Sequence, residues 1–355
     1  MKYRISDVAS INESSISKST YIGSVNYVDT SSVISGNFNG YRHYPSISEA
    51  PSRARRLVSK EDTVISTVRP NMKHVGFISS KSDCIYSTGF AVVSPKKDKI
   101  DPYYLYLFLS SNRVTEVLQS IGETSTSTYP SVKPSDIGNL VIDMPPLDEQ
   151  HLIANRIRLI DEKKNQNSQI NANLLELAKT LFSEEFSSNE EVLLSNYLLP
   201  KRGKNLLKKN VVSGEFPVIA GGLKPAAFHN SYNTKAPVIT ISASGANAGY
   251  VQIWGQPVWS SDSSYIDTSI TKDIYFWYLL LKKYQKQIFD AQTGSAQPHI
   301  YPKHIGNLLI PNISEDSIKN FNITITPIFK KIFQNKNENN KLKAIKNSLL
   351  IKYFN

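Results

Sequence analysis

The sequence predicts an α/β protein: two mixed α/β domains in tandem, each leading into a long coiled-coil helix. Three observations carry this. The chain repeats itself at a fixed offset, each copy runs through strand-rich and helical segments in the same order, and each ends in a long stretch with an apolar seam. A length of 355 residues suits two domains, and 40% hydrophobic with 10% aromatic residues can build packed cores, which excludes wholesale disorder.

The repeat is clearest near the end of each copy. Pro130, Pro134, Ile137, Gly138, Asn139, Leu140 and Ile142 match Pro298, Pro302, Ile305, Gly306, Asn307, Leu308 and Ile310, seven identities in thirteen positions at an offset of 168. The same offset pairs Ile157 with Ile325, Ile160 with Ile328, Asn167 with Asn335, Asn171 with Asn339, Leu174 with Leu342 and Leu181 with Leu349. Upstream, Tyr106 and Leu107 align with Tyr278 and Leu279, Val64 and Ile65 with Val238 and Ile239, and Gly76 with Gly249. Chance does not hold one register over more than fifty residues, so the chain is a tandem duplication whose halves diverge most where they begin. The division is 1–146 and 188–313 for the domains, 147–187 and 314–355 for the helices.

Each copy opens with β-rich sequence, including strands expected at 63–68 and 90–93, and at 237–241 and 265–267. An aromatic-rich helix follows, at 102–119 and 272–290; Asp101 reads as the N-cap of the first, with Pro102 at its first position. A loop and a final strand come next, at 140–143 and 308–311. The long helices are expected at 148–186 and 315–354, about 60 Å each at 1.5 Å per residue. Ile153, Ile157, Ile160, Leu174, Leu177 and Leu181 mark one seam, and Phe321, Ile325, Ile328, Ile332, Leu342, Ile345 and Leu349 the other. Pro327 is expected to start or kink the second helix. Midway, Asn167, Asn171, Asn335 and Asn339 either face water or sit in the seam, where a buried amide selects register.

Charge points to a polyanionic partner. The formal net charge is +11, and it is spread over folded-looking sequence: +3 for 1–146, −4 for 147–191, +7 for 192–313 and +5 for 314–355. Arg53, Arg55 and Arg56 form one basic cluster; Lys201, Arg202, Lys204, Lys208 and Lys209 form another. Either cluster could also be an ordinary solvated surface. The single cysteine, Cys84, excludes a disulfide framework, and there is no long apolar run or apolar leader, so a cytoplasmic protein without membrane contact is expected.

No catalytic constellation emerges. Asp101-Pro102-Tyr103-Tyr104 lacks the second proline of an amino-methyltransferase loop, and the segment 244–249 lacks the Gly-Lys-Ser/Thr ending of a P-loop. Asp148, Asp161 and Glu162 fall on the first long helix, where a solvated face is expected, and the six histidines show no metal-holding spacing. What remains are polar loops at matching places: Arg69, Asn71, Lys73 and His74 in the first copy, Ser244 and Asn247 in the second. These side chains can reach base edges, Arg to guanine, Asn to adenine and Ser to either, although such loops also serve as plain turns. The loops 122–129 and 293–297 are a second candidate pair.

These features together resemble the specificity (S) subunits of type I restriction–modification enzymes. The resemblance covers the full length and rests on Thr63-Val64-Ile65-Ser66 with Gly76, on 104–109, on 130–137 and on Met144-Pro145-Pro146-Leu147-Asp148-Glu149-Gln150 running into Ile153. In the second copy it rests on 293–300, whereas Ser314-Glu315-Asp316-Ser317-Ile318 departs from the expected Glu-Gln helix start. The resemblance implies two mixed α/β target-recognition domains in pseudo-twofold tandem, separated by two long antiparallel coiled-coil helices. Each domain would read half of an asymmetric bipartite site in double-stranded DNA. The subunit would be non-catalytic and without a cofactor. Modification subunits, docked on the helix-seam residues, would supply S-adenosylmethionine-dependent adenine methylation, and restriction–translocase subunits would use ATP and Mg. Two other readings are a DNA-independent helical scaffold and a DNA-modifying enzyme with unrecognised catalytic residues.

Overall fold

The structure, a computed structural model, describes residues 1–355 apart from 18–20, 22, 126–128, 187–189, 295–297 and 355. Packing groups the chain into two units, Met1–Lys163 with Lys341–Asn355, and Lys164–Asn340. Each unit therefore takes in part of both long helices, which run Leu147–Glu185 and Glu315–Phe354.

The first unit has a four-stranded antiparallel sheet in the order Ala9–Ile11, Phe90–Pro95, Thr63–Ser66, Val75–Phe77. Thr63–Ser66 is buried throughout, which is why its β-branched residues Thr63, Val64 and Ile65 follow one another without alternating with exposed charged residues. The second unit repeats this sheet strand for strand, as Lys201–Arg202, Ser263–Asp267, Val238–Ser242, Val251–Trp254, again antiparallel. A second sheet in each unit contains one parallel pair, Val25–Val28 with Ile85–Ser87 and Ser213–Ile219 with Trp259–Ser260. Lys2–Arg4 pairs with Val141–Asp143, and Glu191–Leu193 with Leu309–Pro311. The duplication is thus one of topology as well as of sequence.

The aromatic-rich helices are each two helices. In the first unit Pro102–Leu109 ends at Ser110, and Ser111 caps Asn112–Glu123 by accepting from the Val114 N–H at 3.3 Å. In the second, Ile274–Lys283 and Gln285–Asp290 divide at Tyr284. Both first helices are buried on every side over residues 103–109 and 274–281, where their side chains are apolar or aromatic, and only the second ends in lysines, Lys282 and Lys283. Short helices at Pro134–Gly138 and Pro302–Gly306 occupy what was expected to be loop, each with proline at its start.

The start of the second long helix departs from the first in a compensated way. Gln150, buried, accepts from the Asp101 N–H at 3.1 Å and donates to the Pro145 carbonyl at 2.9 Å. Its counterpart Ile318 can do neither. One turn further on, buried Asn322 accepts from the Tyr275 and Phe276 N–H groups at 3.0 and 3.2 Å, capping the neighbouring helix from the side. Pro327 lies inside the helix rather than at its start. It is on the exposed face, so the Ile323 carbonyl that loses its N–H partner can turn to water.

Equivalent residues make equivalent contacts within each unit. Phe186 packs on Phe276 with ring centroids 5.3 Å apart, and Phe354 on Tyr104 at 4.9 Å. Each ring so buried contributes about 1.5–3 kcal/mol. The seam itself runs through Ile153, Ile157, Phe182 and Ile325, all buried, with Ile160, Leu174, Leu181, Ile328, Leu342 and Leu349 partly covered. Leu177 and Ile345, expected in the seam, are about half exposed, at 48% and 51%. Between Leu174 and Leu181 the helix brings the i+4 position inward, so Ala178 and its counterpart Lys346 face the interior instead.

That inward position explains an unexpected ion pair. Asp161, expected on a solvated face, is only partly exposed and accepts from Lys346 Nζ and, at 2.8 Å, from the Tyr103 hydroxyl. The carboxylate and burial together push the Tyr103 hydroxyl far above the ordinary tyrosine range, burial having the larger effect. In the second unit the same three positions hold Phe329, Ala178 and Tyr275, and Tyr275 stacks flat on Phe329 at 4.7 Å. One copy fills this place with a polar triad, the other with apolar packing.

The asparagines are in the seam. Asn167 and Asn335 are each 1% exposed. Asn167 Nδ2 donates to Glu338 Oε2 at 2.7 Å and to Asn339 Oδ1 at 3.0 Å. Asn335 Nδ2 donates to Asn171 Oδ1 at 2.9 Å, and Asn171 Nδ2 to the Ile332 carbonyl at 3.2 Å. The layer joins antiparallel stretches of the two helices inside the second unit.

Candidate nucleic-acid interface

Three segments converge in each unit, and backbone hydrogen bonds show how. Arg69 N–H donates to the Pro130 carbonyl at 2.8 Å and Val132 N–H to the Thr67 carbonyl at 2.9 Å. Gly245 N–H donates to Pro298 at 3.0 Å and Ile300 N–H to Ala243 at 2.9 Å. Thr67 N–H reaches the Gly89 carbonyl at 2.8 Å, and Ala243 N–H reaches Asp262 at 3.1 Å. The loop after the buried strand is thus pinned between a tight turn and the Pro-x-x-x-Pro segment. The bonds also correct the register: Arg69 corresponds to Gly245 and Asn71 to Asn247, and the two loops are equally long, Ile65 facing Val75 and Ile241 facing Val251.

Both Arg69 and Gly245 have positive φ, +52° and +78°. For glycine this costs nothing; for Arg69 it is a sparsely populated conformation. Pro70–Met72 then forms one 3₁₀ turn ending at Lys73, again at +52°. The Arg69 guanidinium lies 3.9 Å over the Tyr129 ring, a cation–π contact that fixes the side chain while leaving it exposed. Asn71 has an exposed side chain, and its N–H donates to Gln119 at 3.2 Å. Lys73 Nζ donates to Asn112 Oδ1 at 2.5 Å. His74 turns inward, its Nδ1 2.7 Å from the Val33 carbonyl.

The arginine cluster is split by strand alternation. Arg53 and Arg55 are exposed, and Arg55 Nε donates to the Ser52 carbonyl at 3.2 Å. Arg56 is partly buried, which holds its guanidinium below the ordinary arginine value. Thr88 N–H donates to the Arg53 carbonyl at 2.8 Å, so Arg53 joins the same turn that pins the Arg69 loop.

In the second unit Lys201, Arg202 and Lys204 are exposed on the edge of the sheet. Arg202 Nη2 donates to Asp262 Oδ1 at 2.6 Å, and Ser244 Oγ donates to Asp262 Oδ2. The structure thereby brings Ser244 and Arg202 together through Asp262, which sequence reasoning missed. Asn247 is half-buried at the loop tip. Of the second loop pair, residues 126–128 and 295–297 lie outside the described residues. Among the described residues, no group of three His, Cys, Asp or Glu is placed to hold a metal ion, and no helix is long and apolar enough to cross a membrane.

Comparison with known proteins adds the following. Residues 1–176 match the family described as type I restriction modification DNA specificity domain. The HindI specificity subunit of Haemophilus influenzae, a type I restriction enzyme component, is 28% identical over 161 residues, 45% of this chain and 35% of that subunit. The match thus spans about a third of that relative. The MjaIX specificity subunit of Methanocaldococcus jannaschii is 25% identical over 333 residues, 82% of this chain and 76% of that one. In fold, the S subunit of a type I restriction–modification system from M. genitalium superposes with a TM-score of 0.66 at 20% identity, over 100% of this chain and 96% of that one.

Proposed function

We propose that this chain is a specificity subunit of the type I restriction–modification family and that it gives such an enzyme its DNA sequence specificity. Each of its recognition domains, 1–146 and 188–313, reads one half of an asymmetric bipartite site. The helical stretches 147–187 and 314–355 fix the gap between half-sites and dock the modification subunits. The chain itself is non-catalytic and cofactor-free. S-adenosylmethionine belongs to the modification subunits, ATP and Mg to restriction–translocase subunits where these join, and the complex works in the cytoplasm.

The observation that carries this reading is the recurrence of one loop cluster with different side chains. The hydrogen bonds that pin it are the same in both units, whereas its displayed groups change from Arg69, Asn71 and Lys73 to Ser244, Asn247 and Arg202. A conserved frame with exchanged side chains is what reading two different sequences needs. Lysines and arginines on phosphates supply salt-dependent affinity, and the linkage of two weak readers makes the second contact intramolecular.

Sequencing methylated adenines in DNA exposed to this chain assembled with its modification subunits tests the proposal. A bipartite motif with a fixed gap is the expected result. Methylation without sequence preference, or DNA binding insensitive to salt, would overturn it in favour of a scaffold; methyl transfer by the purified chain alone would revive the enzyme reading.

A further inference from the structure

Arg202 differs from its basic neighbours in one respect. Lys201 and Lys204 are exposed and, among the described residues, lack an acidic partner, whereas Arg202 is held at 2.6 Å by Asp262. Both Asp262 oxygens are engaged, one by Arg202 and the other by Ser244. The Arg202 and Asp262 side chains are still 40% and 34% exposed. Asp262 accepts from Nη2 alone, which uses one of its two N–H groups and leaves the other to converge with Nη1 or Nε as a pair of donors in the rigid guanidinium plane.

The chemistry of the two DNA targets separates what such an arginine can do. A phosphate is an anion and wants uncompensated positive charge; a carboxylate beside the arginine cancels that charge and repels the phosphate. A guanine edge offers two neutral acceptors, O6 and N7, and wants two coplanar donors held still. A fixed, charge-balanced guanidinium suits the second target. The first unit has no counterpart, because Gly89 stands where Asp262 does, and Arg69 is steadied by the Tyr129 ring without losing its charge.

We infer that Arg202 reads a guanine in the half-site of the second unit, with Asp262 as its positioning residue and Ser244 orienting the Asp262 carboxylate, while Lys201 and Lys204 contact phosphates. The inference rests on the proposed function and adds a base, a reader and a division of labour to it.

The test uses the full chain assembled with its modification subunits on a duplex library randomised across the motif, read by methylated-adenine sequencing. Anisotropy titrations of one duplex at several salt concentrations accompany it. Arg202→Ala, Arg202→Lys and Asp262→Asn should each lower the preference for guanine at the same single position by about tenfold or more, leaving the other half-site untouched. Arg202→Ala should leave the slope of log affinity against log salt unchanged, whereas Lys201→Ala should reduce its magnitude by about 0.9 and leave the motif alone. A motif unchanged by Arg202→Ala, with a reduced salt slope, would make Arg202 a phosphate contact. An unchanged motif with a lowered melting temperature would make the pair a structural staple. Either result overturns the inference. Arg69→Ala is the control: if it alters its own half-site while Arg202→Ala alters none, the proposed function stands and only this assignment falls. If wild type itself yields no motif, both fall.

Discussion

Replacing Asn167 with alanine should destabilise the second unit by about 3 kcal/mol. The amide donates two hydrogen bonds, to the Glu338 carboxylate and to Asn339, at a position 1% exposed. A bond to a charged acceptor is worth about 1.5–3 kcal/mol and a neutral one about 1 kcal/mol. For a unit of this size each kcal/mol moves the melting temperature by about 2–4 °C, so a fall of about 6–12 °C is expected. Calorimetry of the full chain measures it, with a cycle through Glu338→Ala to isolate the pair. A fall below about 2 °C, or additivity of the two substitutions within about 0.5 kcal/mol, would mean that water already satisfies this layer and that it does not set the helix register. Asn167→Leu should destabilise less, since it restores apolar packing. It should nevertheless broaden the gap between half-sites that the assembled enzyme accepts, because the offset alternatives no longer strand an amide.

Other predictions concern separate parts of the chain. Asp161→Ala should cost about 2 kcal/mol in denaturant titrations, having stranded partly buried Lys346; the double variant Asp161→Phe with Lys346→Ala should cost less, since it copies the Phe329 and Ala178 pair, and an equal loss would argue against equivalence of the two sites. Arg69→Ala should change the motif of one half-site only; uniform loss across all sequences would reduce Arg69 to a phosphate contact or a folding residue. Seven-residue insertions placed symmetrically within 164–173 and 332–341 lengthen each helix by about 10 Å, and the methylation motif should widen by about three base pairs. A motif of unchanged width would remove the spacing role of the helices.

What could be read in advance follows the range of the interactions involved. The duplication, the long helices and the asparagine layer were legible because each is a periodic pattern along one stretch of chain. Leu177 and Ile345 were misplaced because leucine and isoleucine at a permitted spacing look like seam residues, and only packing shows that Ala178 and Lys346 take that place. The break at Tyr284 carries no proline, glycine or capping side chain, so nothing local announces it, whereas at the first break Ser111 offered a helix cap that the continuous helical reading passed over. Gln150 gave a helix-start signal, but its replacement by Asn322 could not be seen, since the amide came from the next turn and serves a helix some forty-five residues earlier. Asp262 was invisible for the same reason: it lies about sixty residues from Arg202 and eighteen from Ser244.

The grouping of residues 341–355 with 1–163 has a consequence for biosynthesis. Lys164–Asn340 holds every strand and helix of its own unit once translation has passed Asn340. The module translated first must wait for residues 341–354 to emerge from the ribosome before Phe354 can cover Tyr104 and Lys346 can meet Asp161. The order of completion therefore reverses the order of synthesis, and a stop introduced between positions 341 and 354 would injure the first unit while sparing the second, which lies nearer the lesion.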